Sequence, residues 1–208
     1  MRELIPAISE FLGQLDITAI KKERRNDLQS LVDIIQEKVG RHQTIYLNFI
    51  CTHNSRRSQL CQVWAETIAW AKGVPKVKAY SGGTEPSEFH CNAIRALESC
   101  RFLLTKKEDR TIPVYFFFYS YEAEAIPCFS KVYNDPINCW TAFTAVMTCY
   151  DAEDKCPHIA EAEARVSVIY DDPKYADGTP KETEVYARRN SQIATEMLYV
   201  FSKIKITE

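Results

Sequence analysis

The segment Cys51-Thr52-His53-Asn54-Ser55-Arg56-Arg57-Ser58 puts a thiol, five intervening residues, an arginine and a hydroxyl between an apolar run and a helical pattern. A strand-turn-helix junction of this kind aims backbone N–H groups at one point, where the helix dipole favours negative charge. A tetrahedral oxyanion seated among Thr52, His53, Asn54, Ser55, Arg56, Arg57 and Ser58 would lie against the Cys51 sulfur. The planar fork of Arg57 suits such a ligand and its transition state. The thiolate is the nucleophilic form of cysteine, and a helix N-terminus with a nearby cation favours it. Ser58 can donate a hydrogen bond to the sulfur, and Asn54 can brace the loop through its own backbone. A lone Cys-x5-Arg would equally describe a structural cysteine before a helix with a solvated arginine. Asn54, Ser58 and the strand-to-helix setting favour chemistry.

Two further features belong to the same edge of a parallel sheet. Asp172 precedes Pro173, which disfavours the α region at the aspartate and sets its carboxylate on an extended loop after a strand. Ligands bind at the carboxyl ends of parallel strands, so Asp172 and Cys51 are expected to meet there, the carboxyl serving as general acid toward the leaving oxygen. An ordinary Asp-Pro turn is the bland alternative. Cys149 and Cys156 flank a polar segment beyond another strand, and three thiols allow a relay in which one forms an adduct, a second attacks it and a third resolves the disulfide. Two spectator cysteines fit this spacing about as well. Cys156 and His158 stand close, yet no paired C-x2-C exists, so no metal is expected. His90 reads as a helix cap or a solvated side chain.

The elements that must position these groups follow from hydrophobic periodicity. Residues 1–42 are expected to be helical: Leu28, Leu31, Val32, Ile35 and Val39 make one apolar stripe. Asp16 is a candidate cap for that helix and Gly40 a candidate stop, with a shorter helix begun near Pro6. From Thr44 the pattern alternates: a strand over 45–50, a helix over 57–72, a strand at Val77–Tyr80 closed by Ser81-Gly82-Gly83, and a helix capped by Ser87 and running to about Cys100. Residues 101–140 interrupt the rhythm with an expected antiparallel hairpin built on Phe102–Leu104 and Val114–Tyr119. Strands over 142–149 and 164–170 follow. Thr179-Pro180-Lys181-Glu182 reads as a capping box opening the last helix. Alternation of this kind implies a mainly parallel sheet with helices on both faces.

The chain has 208 residues, 46% apolar and 12% aromatic, enough for one sizeable core. A net charge of −2 gives no global drive toward nucleic acid or anionic membrane. No apolar run approaches the roughly 20 residues that span a bilayer, and the N-terminus does not read as a signal peptide. Eight cysteines in a chain with a large core and no export signal read as reduced and cytoplasmic, Cys61 and Cys100 serving as packing.

The thiol loop resembles the phosphate-binding loop of the superfamily shared by low-molecular-weight protein tyrosine phosphatases and thioredoxin-coupled arsenate reductases, and Asp172-Pro173 resembles its general-acid loop. The run from Asp171 to Pro180 and the Cys149/Cys156 spacing are more similar to the reductases. The resemblance covers roughly 44–100 and 140–205. It implies a flavodoxin-like domain over 43–208 with an insert at about 101–140, preceded by a helical extension over 1–42 packed on it. It further implies arsenate reduction through Cys51, Arg57, Asp172, Cys149 and Cys156, with arsenate, phosphate or a phosphoester as the bound oxyanion, thioredoxin as reductant and no cofactor. A phosphatase working through a phosphocysteine is the alternative activity, and a non-enzymatic oxyanion sensor the alternative of another class. This chain has His53 where the family usually has glycine, Arg56 in place of a second loop cysteine, and Lys174-Tyr175 in place of the phosphatases' aromatic pair.

Overall fold

A computed structural model describes residues 2–108, 112–139, 141–155 and 158–206. Cys156 lies outside them. The chain opens with α1 (Pro6–Gly13) and α2 (Lys22–Gly40), followed by β1 (Ile45–Cys51), α3 (Arg57–Ala71), β2 (Val77–Gly83) and α4 (Cys91–Ser99). Three short strands come next, β3 (Leu103–Lys107), β4 (Val114–Phe118) and β5 (Ile126–Cys128). The order closes with β6 (Phe143–Met147), α5 (Tyr150–Lys155), β7 (Ala162–Ser167) and α6 (Glu182–Ser202).

The main sheet is parallel with strand order β2-β1-β6-β7. Central β1 is buried along almost its whole length, as a strand covered on both faces must be. All four strands point their carboxyl ends the same way, so Cys51, Gly83, Cys149 and the segment after β7 share one edge. Helices α2, α3 and α5 pack on the sheet, and α6 packs against α3, α4 and α2. Trp64 of α3 shows how the layers lock: its ring stacks on Phe11 at 5.4 Å and meets Phe102 edge-on at 5.0 Å, while its indole N–H donates to Asn190 Oδ1 at 2.7 Å. The α2 stripe, Leu28 to Val39, is buried in the same apolar cluster as Trp64 and Met197.

Several local expectations are corrected. The expected hairpin forms from β3 and β4, Leu103↔Phe118 to Lys107↔Val114, and a third strand, β5, extends it by pairing with β4 through Tyr115↔Cys128 to Phe117↔Ile126. Asp16 caps a 3-10 turn over Ile17–Ala19, accepting from Thr18 N, rather than α2. His90, not Ser87, caps α4: its ring nitrogen accepts from Asn92 N, whereas Ser87 N donates to Ser130 Oγ. The last helix starts at Glu182, so the expected capping box does not form; Thr179 Oγ1 donates to Ala176 O and the Glu182 carboxylate accepts from Gly178 N. Strand β6 begins at Phe143 because Ala142 holds φ 55°, which no strand residue adopts.

Candidate active site

The thiol loop is the turn between β1 and α3, and its shape depends on Asn54. That residue sits at φ 45°, a left-handed conformation that asparagine tolerates better than most residues. The turn brings Asn54 N–H to 3.2 Å from Cys51 Sγ, and Ser58 Oγ lies 3.1 Å from the same sulfur. The Asn54 side chain then ties the loop together. Its Nδ2 donates to Ser58 Oγ at 2.8 Å, and its Oδ1 accepts from Lys131 N at 3.0 Å and from Gln59 Nε2 at 3.2 Å. Asn54 thus braces the loop through its backbone, whose O also accepts from Gln59 Nε2 at 3.0 Å, and through its side chain as well. Cys51 itself is 3% exposed.

Arg57 opens α3 and is almost buried. Its Nη1 donates to Tyr170 O at 3.0 Å and its Nη2 to Asp172 Oδ2 at 2.5 Å. Its Nε is buried with no partner among the described residues. The other Asp172 oxygen accepts from Lys174 N, capping the 3-10 turn Pro173–Ala176. Arginine, aspartate and thiol are therefore brought together, as expected from the sheet edge. Cys51, His53, Ser55, Arg56, Arg57 and Asp172 surround a recess of about 10 Å³, room for one water at most. The Arg57–Asp172 pair forms one side of it.

The other loop residues also bond groups outside the recess. Thr52 Oγ1 lies 3.5 Å from Cys149 Sγ, which puts the second thiol of the expected relay one hydroxyl away from the residue that follows Cys51. Cys149 is 2% exposed. The His53 ring meets Glu85 O at 3.0 Å, and Ser55 O accepts from His90 N. Arg56 is drawn outward: Nε donates to Tyr186 OH at 2.6 Å and Nη2 to Asp177 Oδ2 at 2.9 Å. Burial pulls the Arg56 guanidinium's pKa down, but the Tyr186 oxygen and the Asp172 and Asp177 charges outweigh it and leave the pKa raised. His90, stacked on Tyr186, is held below its ordinary value by burial first and then by the Arg56 charge. Tyr186 titrates high because of burial and its bond to Asp177.

Sequence reasoning missed this Arg56–Tyr186–Asp177–His90 cluster and the role of Lys131. No spacing signal could have found either, since their members come from four separate segments. Beside the recess, a wider cleft of about 510 Å³ is lined by His53, Ser55, Arg56, Ser87, Glu88, His90 and Lys174, all polar. Tyr175, 63% exposed, contributes no aromatic wall; its hydroxyl takes a hydrogen bond from Arg188.

No family model matches the chain. Among curated relatives, the arsenate reductase of Bacillus licheniformis is 27% identical over 147 residues, spanning 71% of this chain and 86% of its own. That of Bacillus subtilis is 28% identical over 141 residues, 68% and 83%. Among solved structures, the arsenate reductase from Archaeoglobus fulgidus aligns with a TM-score of 0.50 at 17% identity, covering 75% of this chain and 98% of that one. A low-molecular-weight protein tyrosine phosphatase from Bacillus subtilis aligns at 0.51 and 12% identity, covering 76% and 96%; at these identities the likeness is one of fold. Sequence likeness along most of the chain and a shared fold make this protein similar to the arsenate reductases and low-molecular-weight protein tyrosine phosphatases.

Proposed function

We propose that this chain reduces arsenate with a Cys51 nucleophile and a cysteine relay. The observation that carries the reading is the company of the Cys51 sulfur: an amide N–H and a hydroxyl on it, Arg57 and Asp172 across the recess, and Cys149 one hydroxyl away at Thr52. Hydrogen bonds to sulfur stabilise the charged form and so the nucleophile.

The steps follow from these positions. Arsenate enters the loop, and its oxygens take the amides and the unmatched Arg57 Nε. Because the recess is too small for arsenate as it stands, entry requires Arg57 and Asp172 to part, which frees the carboxyl to protonate the departing oxygen. The Cys51 thiolate bonds arsenic and water leaves. Cys149 then attacks Cys51 Sγ; the S–As bond breaks, its electron pair passes to arsenic, and arsenite departs. Cys156 attacks Cys149 Sγ, releases the Cys51 thiolate and leaves a Cys149–Cys156 disulfide for a dithiol such as thioredoxin to reduce.

Hydrolysis of a phosphoester through phosphocysteine would use Cys51, Arg57 and Asp172 alone, with no need of Cys149. The missing aromatic wall disfavours phosphotyrosine. Thioredoxin-coupled arsenate turnover measured beside aryl-phosphate hydrolysis separates the readings. Cys51→Ser is expected to abolish both. Cys149→Ser is expected to abolish reduction and spare any hydrolysis; arsenate turnover that survives in Cys149→Ser rejects the relay. Asp172→Asn is expected to slow the first chemical step by roughly 10²–10⁴-fold.

A further inference from the structure

The thiol loop is held from outside by its carbonyls. Cys51 O, Thr52 O, His53 O and Ser55 O accept from the backbone N–H groups of Thr84, Glu85, Ser87 and His90, at 3.3, 2.8, 3.3 and 3.0 Å. The peptide joining His53 to Asn54 matters most, because its N–H is the one that reaches Cys51 Sγ, at 3.2 Å. A peptide unit is planar and trans, so its oxygen and its N–H point opposite ways and turn together. The local backbone opposes this orientation: turning the plane over would carry Asn54 from φ 45° into the ordinary extended region. It would also aim the negative end of a carbonyl dipole at the sulfur.

The Ser87 N–H secures this peptide only in part, since it is shared with a nearer acceptor, Ser130 Oγ at 3.0 Å. Ser130 follows β5 on the insert and is fully buried. Its hydroxyl lies 2.9 Å from His53 O, and because a carbonyl oxygen can only accept, the hydroxyl donates. The next residue locks it in place: Lys131 N–H donates to Asn54 Oδ1 at 3.0 Å, and Lys131 O accepts from Gly83 N at 2.8 Å. We propose that Ser130 is a positioning residue for the chemistry of Cys51: by holding His53 O, it keeps the Asn54 N–H aimed at the sulfur and so favours thiolate over thiol. This rests on the reading of Cys51 as nucleophile, and it gives the insert a part in that chemistry.

The test follows iodoacetamide alkylation of Cys51 in the full chain against pH, read by mass on the Cys51 peptide. Ser130→Ala is expected to move the midpoint of the curve up by roughly one unit and to slow alkylation on its acid side about tenfold. Ser130→Thr keeps the hydroxyl and is expected to restore the native midpoint. Ser81→Ala controls for lost stability: it removes another fully buried serine bond, Ser81 Oγ to Gln62 Oε1 at 2.6 Å, away from the thiol loop, and is expected to leave the midpoint in place. In the native protein, with no variant needed, the Asn54 amide proton resonance is expected to move along the alkylation curve. An unchanged midpoint in Ser130→Ala, an equal shift in Ser81→Ala, no recovery in Ser130→Thr, or an Asn54 resonance that ignores the curve overturns the proposal. A native Cys51 that alkylates at no pH defeats the nucleophile reading and this proposal with it, and the native curve alone tells that outcome from the others.

Discussion

Asn54 holds both a backbone conformation and a set of hydrogen bonds, and the two can be separated by substitution. Alanine at 54 loses the bonds to Ser58, Lys131 and Gln59 and keeps the left-handed penalty; glycine loses the bonds but relieves the backbone. Asn54→Ala is expected to cost about 2–4 kcal/mol and Asn54→Gly about 1 kcal/mol less, read by denaturant unfolding. Both should slow alkylation of Cys51, because Ser58 is no longer held against the sulfur. Lys131 supplies a pH signature. Burial brings its ammonium down to about 8 from an ordinary 10.5. Between those values the unfolded chain binds more protons than the folded one, so the native protein gains stability from this group as pH rises through the window. Cys128 beside it, pushed up to about 12 by burial, stays neutral there. The stability difference between Lys131→Met and the native protein is therefore expected to be largest below pH 8 and to vanish above about pH 10.5. A difference independent of pH would show that Lys131 titrates normally.

At the scale of elements, the carboxyl end of β2 is where the insert, the sheet and the thiol loop converge. Gly82 admits the backbone of Tyr133, since an added Cβ would stand 2.1 Å from Tyr133 Cα. Gly83 admits the thiol loop, where a Cβ would lie 2.7 Å from Thr52 O and 2.9 Å from Asn54 N. Both contacts are with backbone, so neither neighbour can swing away. Gly82→Ala is expected to destabilise by at least about 1–3 kcal/mol, by thermal unfolding. Gly83→Ala is expected to shift the amide resonances of residues 52–54 and lower Cys51 reactivity more than its stability loss explains. Equal effects of the two on Cys51 would mean that β2 acts on the loop only through global stability.

For the whole molecule, the question is whether residues 1–42 are an appendage or part of the core. Arg24 of α2 donates through Nε and Nη2 to the two oxygens of Glu196 on α6, at 3.1 and 2.8 Å, and Glu196 is 3% exposed. Breaking a buried pair from one side strands a charge. Arg24→Met is expected to cost about 3–5 kcal/mol, and Arg24→Met with Glu196→Leu to recover most of it. We propose from this packing that the helical extension and residues 43–208 unfold as one unit. A chain cut to 43–208 is expected to lose its single cooperative transition, which calorimetry reads directly; retention of a sharp transition at an unchanged Tm would make the extension dispensable.

How far the sequence speaks follows from the range of the forces involved. Periodicity, the strand-turn-helix junction and the Asp-Pro step are local, and from them alone came the parallel sheet, the apolar face of α2, the thiol loop and the meeting of Cys51, Arg57 and Asp172 at one edge. The boundaries missed at Ser87, whose backbone N–H bonds Ser130 Oγ while His90 caps the helix, and at Thr179, whose hydroxyl bonds Ala176 O in the preceding turn. A third insert strand of three residues, Ile126–Cys128, is too short to announce itself. Only the tertiary structure decided that Arg57 faces Asp172, that Arg56 turns to Tyr186 and Asp177, that Asn54 is pinned by the backbone of Lys131, and that Cys149 sits against Thr52. Each of these joins residues that chain distance keeps apart, and which partner a buried polar group finds is settled by packing, because a group cut off from water must bond whatever the fold brings within reach.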